Sequence, residues 1–261
     1  MKRRSPVRAL GVAALATLAA LGALALGLEL AGYDALRALG AMWRGAFGSW
    51  YAVTSATLVR AVPLVVLGLA VALAFHAGAF NIGAEGQFHA GAVAATWIGL
   101  LAGGWHPALA VTASWAAALL AGALWVSVPA WLRARFGVLE VISTLLLNFV
   151  ADALVSLLVQ GPLKERNGIY PQSDPIALAA RLPLLSGTRL HLGLAVALGL
   201  AAALAVTLER THAGFRLRAV GAGPEAARAS GRIDVTRVVV AALLASGALA
   251  GLAGALEVGG V

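Results

Sequence analysis

The sequence predicts an all-α polytopic membrane protein, about seven transmembrane helices in a Gly/Ala-rich bundle with a broken or re-entrant segment near residues 78–89. Three observations predict it. Of the 261 residues, 61% are hydrophobic and only 11% are charged, too few charges to solvate the surface of a water-soluble protein. The mean hydropathy is +0.90. Apolar runs close to bilayer-spanning length recur along the chain, and basic residues gather in the polar joints between them.

The first run, Leu10–Leu28, follows the basic stretch MKRRSPVR and covers about one crossing at ~1.5 Å per residue. A secretory signal opens the same way, but LELAGYDAL downstream has no clear small-x-small cleavage pattern, so the run reads as a retained first span. The second run, Leu58–Ala77, contains Pro63, and the third, Phe88–Gly103, is short; these two are the spans expected to be tilted, broken or re-entrant. Leu109–Leu132, Val138–Val159, Leu190–Leu208 and Val238–Val258 complete the seven. In SGALAGLAGAL, 246–256, small residues recur every three or four positions, which lets helix backbones pack closely, although genome composition accounts for part of the Ala and Gly.

Orientation follows from Lys and Arg. With the N-terminus cytoplasmic, the inner side receives Lys2, Arg3, Arg4, Arg8, Arg133, Arg135, Arg210, Arg216, Arg218, Arg228, Arg232 and Arg237, twelve of the 19 basic residues. The outer side keeps Arg37, Arg44, Arg60, Lys164, Arg166, Arg181 and Arg189, spread over longer loops. This topology explains the net charge of +8 better than nucleic-acid binding does, since the arginines sit in short joints and only two lysines occur. The absence of cysteine excludes disulfides, thiolate metal sites and a cysteine nucleophile.

Two joints are long. The outer one, 161–189, carries Pro162, Pro171, Pro175 and Pro183 and suits an irregular loop. The inner one, 209–237, contains GPEAARASGRI, where Pro224 fits a first helical turn, Glu225 meets the positive dipole end and Gly231 marks a stop, predicting a short amphipathic helix on the cytoplasmic face.

The stretch FNIGAEGQFH, 80–89, places Asn81, Glu85, Gln87 and His89 between two apolar runs. An unpaired polar group in hydrocarbon costs several kcal/mol, so the cluster implies a protein-lined cavity, a membrane boundary or a helix break that Gly78, Gly83 and Gly86 permit. A plain cytoplasmic turn facing water is the simpler reading. Further along, Asn148 needs an internal partner, and Asp152, four residues on, is an intramembrane acid whose partner is expected to be Asn148. Glu140 near Arg133 and Arg135 reads as a solvated ion pair. His76, His106, His191 and His212 are scattered, and Glu85 with His89 lacks a local third ligand, so no metal site is expected. Trp43, Trp50, Tyr51, Trp105, Trp131 and Tyr170 fall near span ends, as an interfacial belt does. No G-x-x-x-x-G-K-[ST] phosphate loop occurs.

Three blocks carry a resemblance. GLAVALAFHAGAFNIGAEGQ (68–87), LEVISTLLLNFVADALVSLLVQGPLKE (139–165) and the stretch from Ala219 to Val261 resemble, in order and spacing, the permease subunits of ATP-binding-cassette importers for nucleosides and simple sugars, in the wider branched-chain amino acid and ribose permease family. The resemblance implies a single transmembrane permease domain over 1–261, the N-terminal portion of a typically longer permease, with 209–237 as a cytoplasmic coupling loop. Asn81, Glu85, Gln87, Asn148 and Asp152 would form or support the substrate pathway, and Gly221, Pro224, Glu225, Ala226, Ala227 and Gly231 would couple to the ATPase. The implied partners are a cytoplasmic ATPase, a second permease subunit, an extracytoplasmic solute-binding protein and membrane lipid, in a bacterial inner membrane; no cofactor binds this chain, and ATP is used by the partner. Two features depart from the family pattern: Gly223 precedes Pro224 where Asn is usual, and Arg232 separates Gly231 from Ile233. The family usually continues for several spans beyond the position of Val261. Simple-sugar or branched-chain amino acid transport is the alternative within the class, and an intramembrane enzyme using Glu85 and His89 as acid and base is the alternative outside it.

Overall fold

A computed structural model describes residues 6–166 and 168–260. The described residues are helical with no named strand, and a single antiparallel bridge joins Leu184 to His191. The chain divides into two compact units, one ending at Thr57 and one beginning at Leu58.

The first unit holds α1 (Pro6–Leu30), α2 (Ala35–Phe47), α3 (Trp50–Ala52) and a π-helical turn, Val53–Thr57. The Glu29 carboxylate accepts from Ala35 N at 3.1 Å, and Asp34 caps α2 by accepting from Arg37 N at 2.8 Å. Sequence reasoning passed over α2 because its run is too short and too mixed to cross a bilayer. Its signals were the Asp34 cap and the helical spacing of Leu36, Leu39, Met42, Trp43 and Phe47.

The second unit contains α4 (Leu58–His76), α5 (Ala84–Leu101), α6 (Pro107–Phe136), α7 (Glu140–Gln160), α8 (Gly193–Arg210), α9 (His212–Ala222), α10 (Pro224–Ala229) and α11 (Val235–Gly260). Among the described residues, six helices are long and apolar enough to cross a membrane, not seven. The expected third span exists as α5, 18 residues long, but is not one of the six. The reason is its first turns, where Glu85, Gln87 and His89 lower the hydropathy of the whole helix.

Helix α11 is the axis of this unit. Its span is 61% buried, against 11–33% for the spans of α4, α6, α7 and α8. Glycine makes the burial possible: a methyl on Gly251 would strike the Ala118 carbonyl of α6, and one on Gly254 would strike the Phe88 carbonyl of α5. The periodic small residues of 246–256 are therefore contact surface. Around them, Val62, Val66, Leu182, Ala197, Leu252 and Leu256 form one apolar core, and Ala74, Ala79, Val126, Val220, Ala227, Val239 and Leu243 belong to another nearer the inner joint.

The inner joint holds two helices where one was expected. Thr211 caps α9 by accepting from Gly214 N at 3.1 Å, α10 starts at Pro224 as predicted, and Gly231 adopts φ +68° beyond its end. The outer joint is irregular apart from a 3-10 turn at Leu178–Ala180, and it caps the bundle: Ala177 N donates to Gly99 O of α5 and Leu182 N to Gly259 O of α11.

Candidate functional site

The link between α4 and α5 is built from the sequence outward. Gly78 takes a left-handed φ of +67°, Gly78 N donates to Phe75 O and Ala79 N to Ala74 O, which ends α4 in a Schellman cap that requires glycine. The chain then turns back into the bundle. Asn81 reaches Ser246, eleven residues and about 16 Å into α11, and that serine's hydroxyl donates to Ala70 O of α4 at 2.6 Å, about 9 Å above the His76 end. Residues 79–83 are thus a re-entrant, non-helical segment packed inside the protein.

Such backbone has to be satisfied by protein. Asn81 and Gln87 exchange amide hydrogen bonds of 2.7 and 2.8 Å, Asn81 Nδ2 also donates to Ser246 Oγ at 2.8 Å, and Gly83 N donates to Asn81 Oδ1 at 3.2 Å. Both amides are 1% exposed. From α7, Asn148 Oδ1 accepts from Gly86 N at 2.9 Å while its Nδ2 donates to Ile82 O at 3.1 Å. Glu140, also on α7, accepts from Phe80 N at 2.9 Å. A methyl on Gly86 would press on Asn148 Oδ1, Trp125 Nε1 and Leu147 O at 3.0–3.1 Å, so the start of α5 docks closely against α6 and α7.

Two sequence expectations are corrected here. Glu140 was expected to be solvated; its side chain is 6% exposed and pairs with Arg133, because it also has to serve the buried Phe80 amide. Asp152 was expected to pair with Asn148; Asn148 instead spends both ends of its amide on the re-entrant backbone, and Asp152 Oδ1 lies 3.2 Å from His89 Nδ1. Ser246 was missed altogether. A lone serine in SGALAGLAGAL carries no signal beyond its small size.

The five residues expected along the pathway therefore divide. Asn81 and Asn148 are buried and hold backbone, and buried Gln87 holds Asn81, whereas Glu85 and Asp152 are exposed. His89 and Asp152 meet on the seam between α5 and α7, and Glu85 is exposed on α5 one helical turn before His89. A groove of about 240 Å³ continues that seam, lined by Phe88, His89, Thr96, Val155, Leu163 and Ser173.

At the other end of the link, α9 presses against it. A methyl on Gly221 would collide with the His76 carbonyl, and one on Gly78 would lie 3.4 Å from the Gly221 Cα. Ala79 of the link, Val220 of α9 and Ala227 of α10 are buried in the same apolar core. Glu225 and Gly231 remain exposed. A surface hollow lined by Phe215, Ala219, Gly223, Ala226, Ser230 and Ile233 opens between α9 and α10.

An all-helical bundle with six helices long and apolar enough to cross a membrane, a buried polar link and a helical hairpin packed on that link describes a multi-pass membrane protein. The chain belongs to the family of branched-chain amino acid transport system permease components, whose family model matches residues 53–260. It is 40% identical to a glucose ABC transporter permease protein of Haloferax volcanii over 97% of this chain and 68% of that one. It is 36% identical to a guanosine ABC transporter permease protein of Bacillus subtilis, over 93% of this chain and 70% of that one, and 28% identical to a nucleoside ABC transporter permease protein of Lactococcus lactis, over 76% and 57%. No solved structure matches the chain.

Proposed function

We propose that this chain is the membrane-spanning subunit of an ATP-driven importer that passes a nucleoside or related small polar solute by alternating access. The guanosine and nucleoside permeases among its relatives support that substrate class; the glucose permease supports a simple sugar as the second reading. The subunit works with a cytoplasmic ATPase, a second permease chain and an extracytoplasmic solute-binding protein, in a bacterial inner membrane with its N-terminus inside.

One observation carries the mechanism: the backbone of Gly221 lies against that of His76 and Gly78, with no side chain between. Closure of an ATPase on the α9–α10 hairpin, gripping Pro224, Glu225 and Ala226, transmits through Val220, Ala227 and Ala79 to the re-entrant link. The link is stapled to α7 by Glu140 and Asn148 and to α11 by Ser246, so it moves as a rigid body with the starts of α5 and α7. Movement of this unit, α5 and α7 together, against the second permease chain then turns Glu85, His89 and Asp152, which supply the polar wall for the solute, toward one side of the membrane or the other. Asn81, Gln87 and Asn148 support the path without touching the solute.

The test is ATP-driven guanosine uptake into proteoliposomes containing the complete importer. Glu225→Lys, at an exposed position, is expected to abolish uptake while leaving insertion and melting temperature unchanged. Undiminished uptake rejects the coupling role.

A further inference from the structure

Between α4, α8, α9 and α11 a second groove of about 470 Å³ opens on the outside of the bundle. Its walls are Leu73, Leu204, Leu217, Val238, Ala241 and Ala245, and its mouth carries Arg216 and Arg237. Arg237 and Ala245 are eight residues apart on α11, so the groove runs about 12 Å from a charged end into an apolar one. The charged end lies where α8 ends and α11 begins, beside α9, and the apolar end lies between the spans.

The two arginines differ. Arg237 Nε is 3.0 Å from the Asp234 carboxylate, whereas Arg216 has no ion pair among the described residues. An open apolar groove within a bilayer does not stay empty. The backbone of a helix from another chain, ~10–12 Å across with its side chains, would offer Arg216 no acceptor, because its carbonyls are spent on its own hydrogen bonds. A two-tailed amphiphile with a negative head satisfies both ends at once: a chain lies along Leu73, Leu204 and Ala245, and a phosphate accepts from the guanidinium groups.

We propose that this groove is a binding site for one anionic phospholipid, with its acyl chain between α4, α8 and α11 and its headgroup on Arg216 and Arg237. Because α9 forms one wall and also bears on the link at Gly221, the lipid braces the outer side of the hairpin. The site stands on the groove alone and does not depend on which solute is carried.

Native mass spectrometry of the full chain in detergent, with phosphatidylglycerol and phosphatidylcholine added in equal amounts, tests it. One phosphatidylglycerol per chain is expected, favoured about fivefold, as ~1 kcal/mol from Arg216 implies, the charge of Arg237 being offset by Asp234. Arg216→Gln should bring the two lipids to parity, Ala245→Phe should displace both, and Arg210→Gln, outside the groove, should change nothing. Equal retention by the wild type, or an Arg216→Gln protein that keeps the preference, overturns the proposal. So does a photoreactive residue at Leu204 that cross-links polypeptide in native membranes instead of lipid; cross-linking to phosphatidylglycerol supports it.

Discussion

Asn81 and Gln87 show why a buried amide pair is tolerated where a single amide is not. Each satisfies the other, and Ser246 takes the remaining Asn81 donor. Gln87→Leu leaves Asn81 Oδ1 without its strongest donor and should lower stability by about 1–3 kcal/mol, read from thermal unfolding in detergent. The double variant Asn81→Leu/Gln87→Leu should cost less than the sum of the two single changes, because the second removes a partner already stranded. His191 gives a pH-dependent counterpart. It is 4% exposed and accepts from Gly193 N at 3.2 Å, and burial holds its imidazole below the usual 6.5. A depressed folded value means that the unfolded chain takes up the proton first. Stability is therefore full above pH 6.5 and falls as pH drops from there toward the depressed folded value. Melting temperatures between pH 7.5 and 5.5 should drop more for the wild type than for His191→Gln.

Helix packing depends on which glycine is in contact. Gly251 faces the Ala118 carbonyl, but Gly199 on α8 has open space around it. Gly251→Ala should destabilise by about 1–3 kcal/mol or more by forcing α11 off α6, whereas Gly199→Ala should be neutral or slightly stabilising. Melting the two variants side by side distinguishes contact from composition as the reason for glycine. The long spans were legible because fifteen or more apolar residues in succession have few other fates. Their ends were less so, since α6 extends to Phe136 through Arg133 and Arg135, where polarity had suggested a loop. Helix α5 starts at Ala84, not Phe88, because Asn148 of α7 satisfies the Gly86 amide and Asn81 satisfies Gln87, partners that a window on the helix itself does not contain. The same limit hid α9, an eleven-residue helix with no apolar stripe long enough to stand out.

At the scale of the molecule, the re-entrant link is what joins inner hairpin to seam. Its presence was legible in FNIGAEGQFH, because glycine and amides together have no ordinary place in a span. Its internal division was not. Whether an amide faces solute or backbone is decided by α7 and α11, 60 to 165 residues away, as the partners Glu140 and Ser246 illustrate. That division makes the claim testable with little background, since the chain contains no cysteine. The direct measurement is reaction of single-cysteine variants, Glu85→Cys, Asp152→Cys and Leu120→Cys, with a membrane-impermeant thiosulfonate in the assembled importer, with and without ATP. Glu85→Cys and Asp152→Cys should react and change rate with nucleotide, while Leu120→Cys, on the outer face of α6, should stay inert; a seam as unreactive as Leu120 in every state contradicts the account.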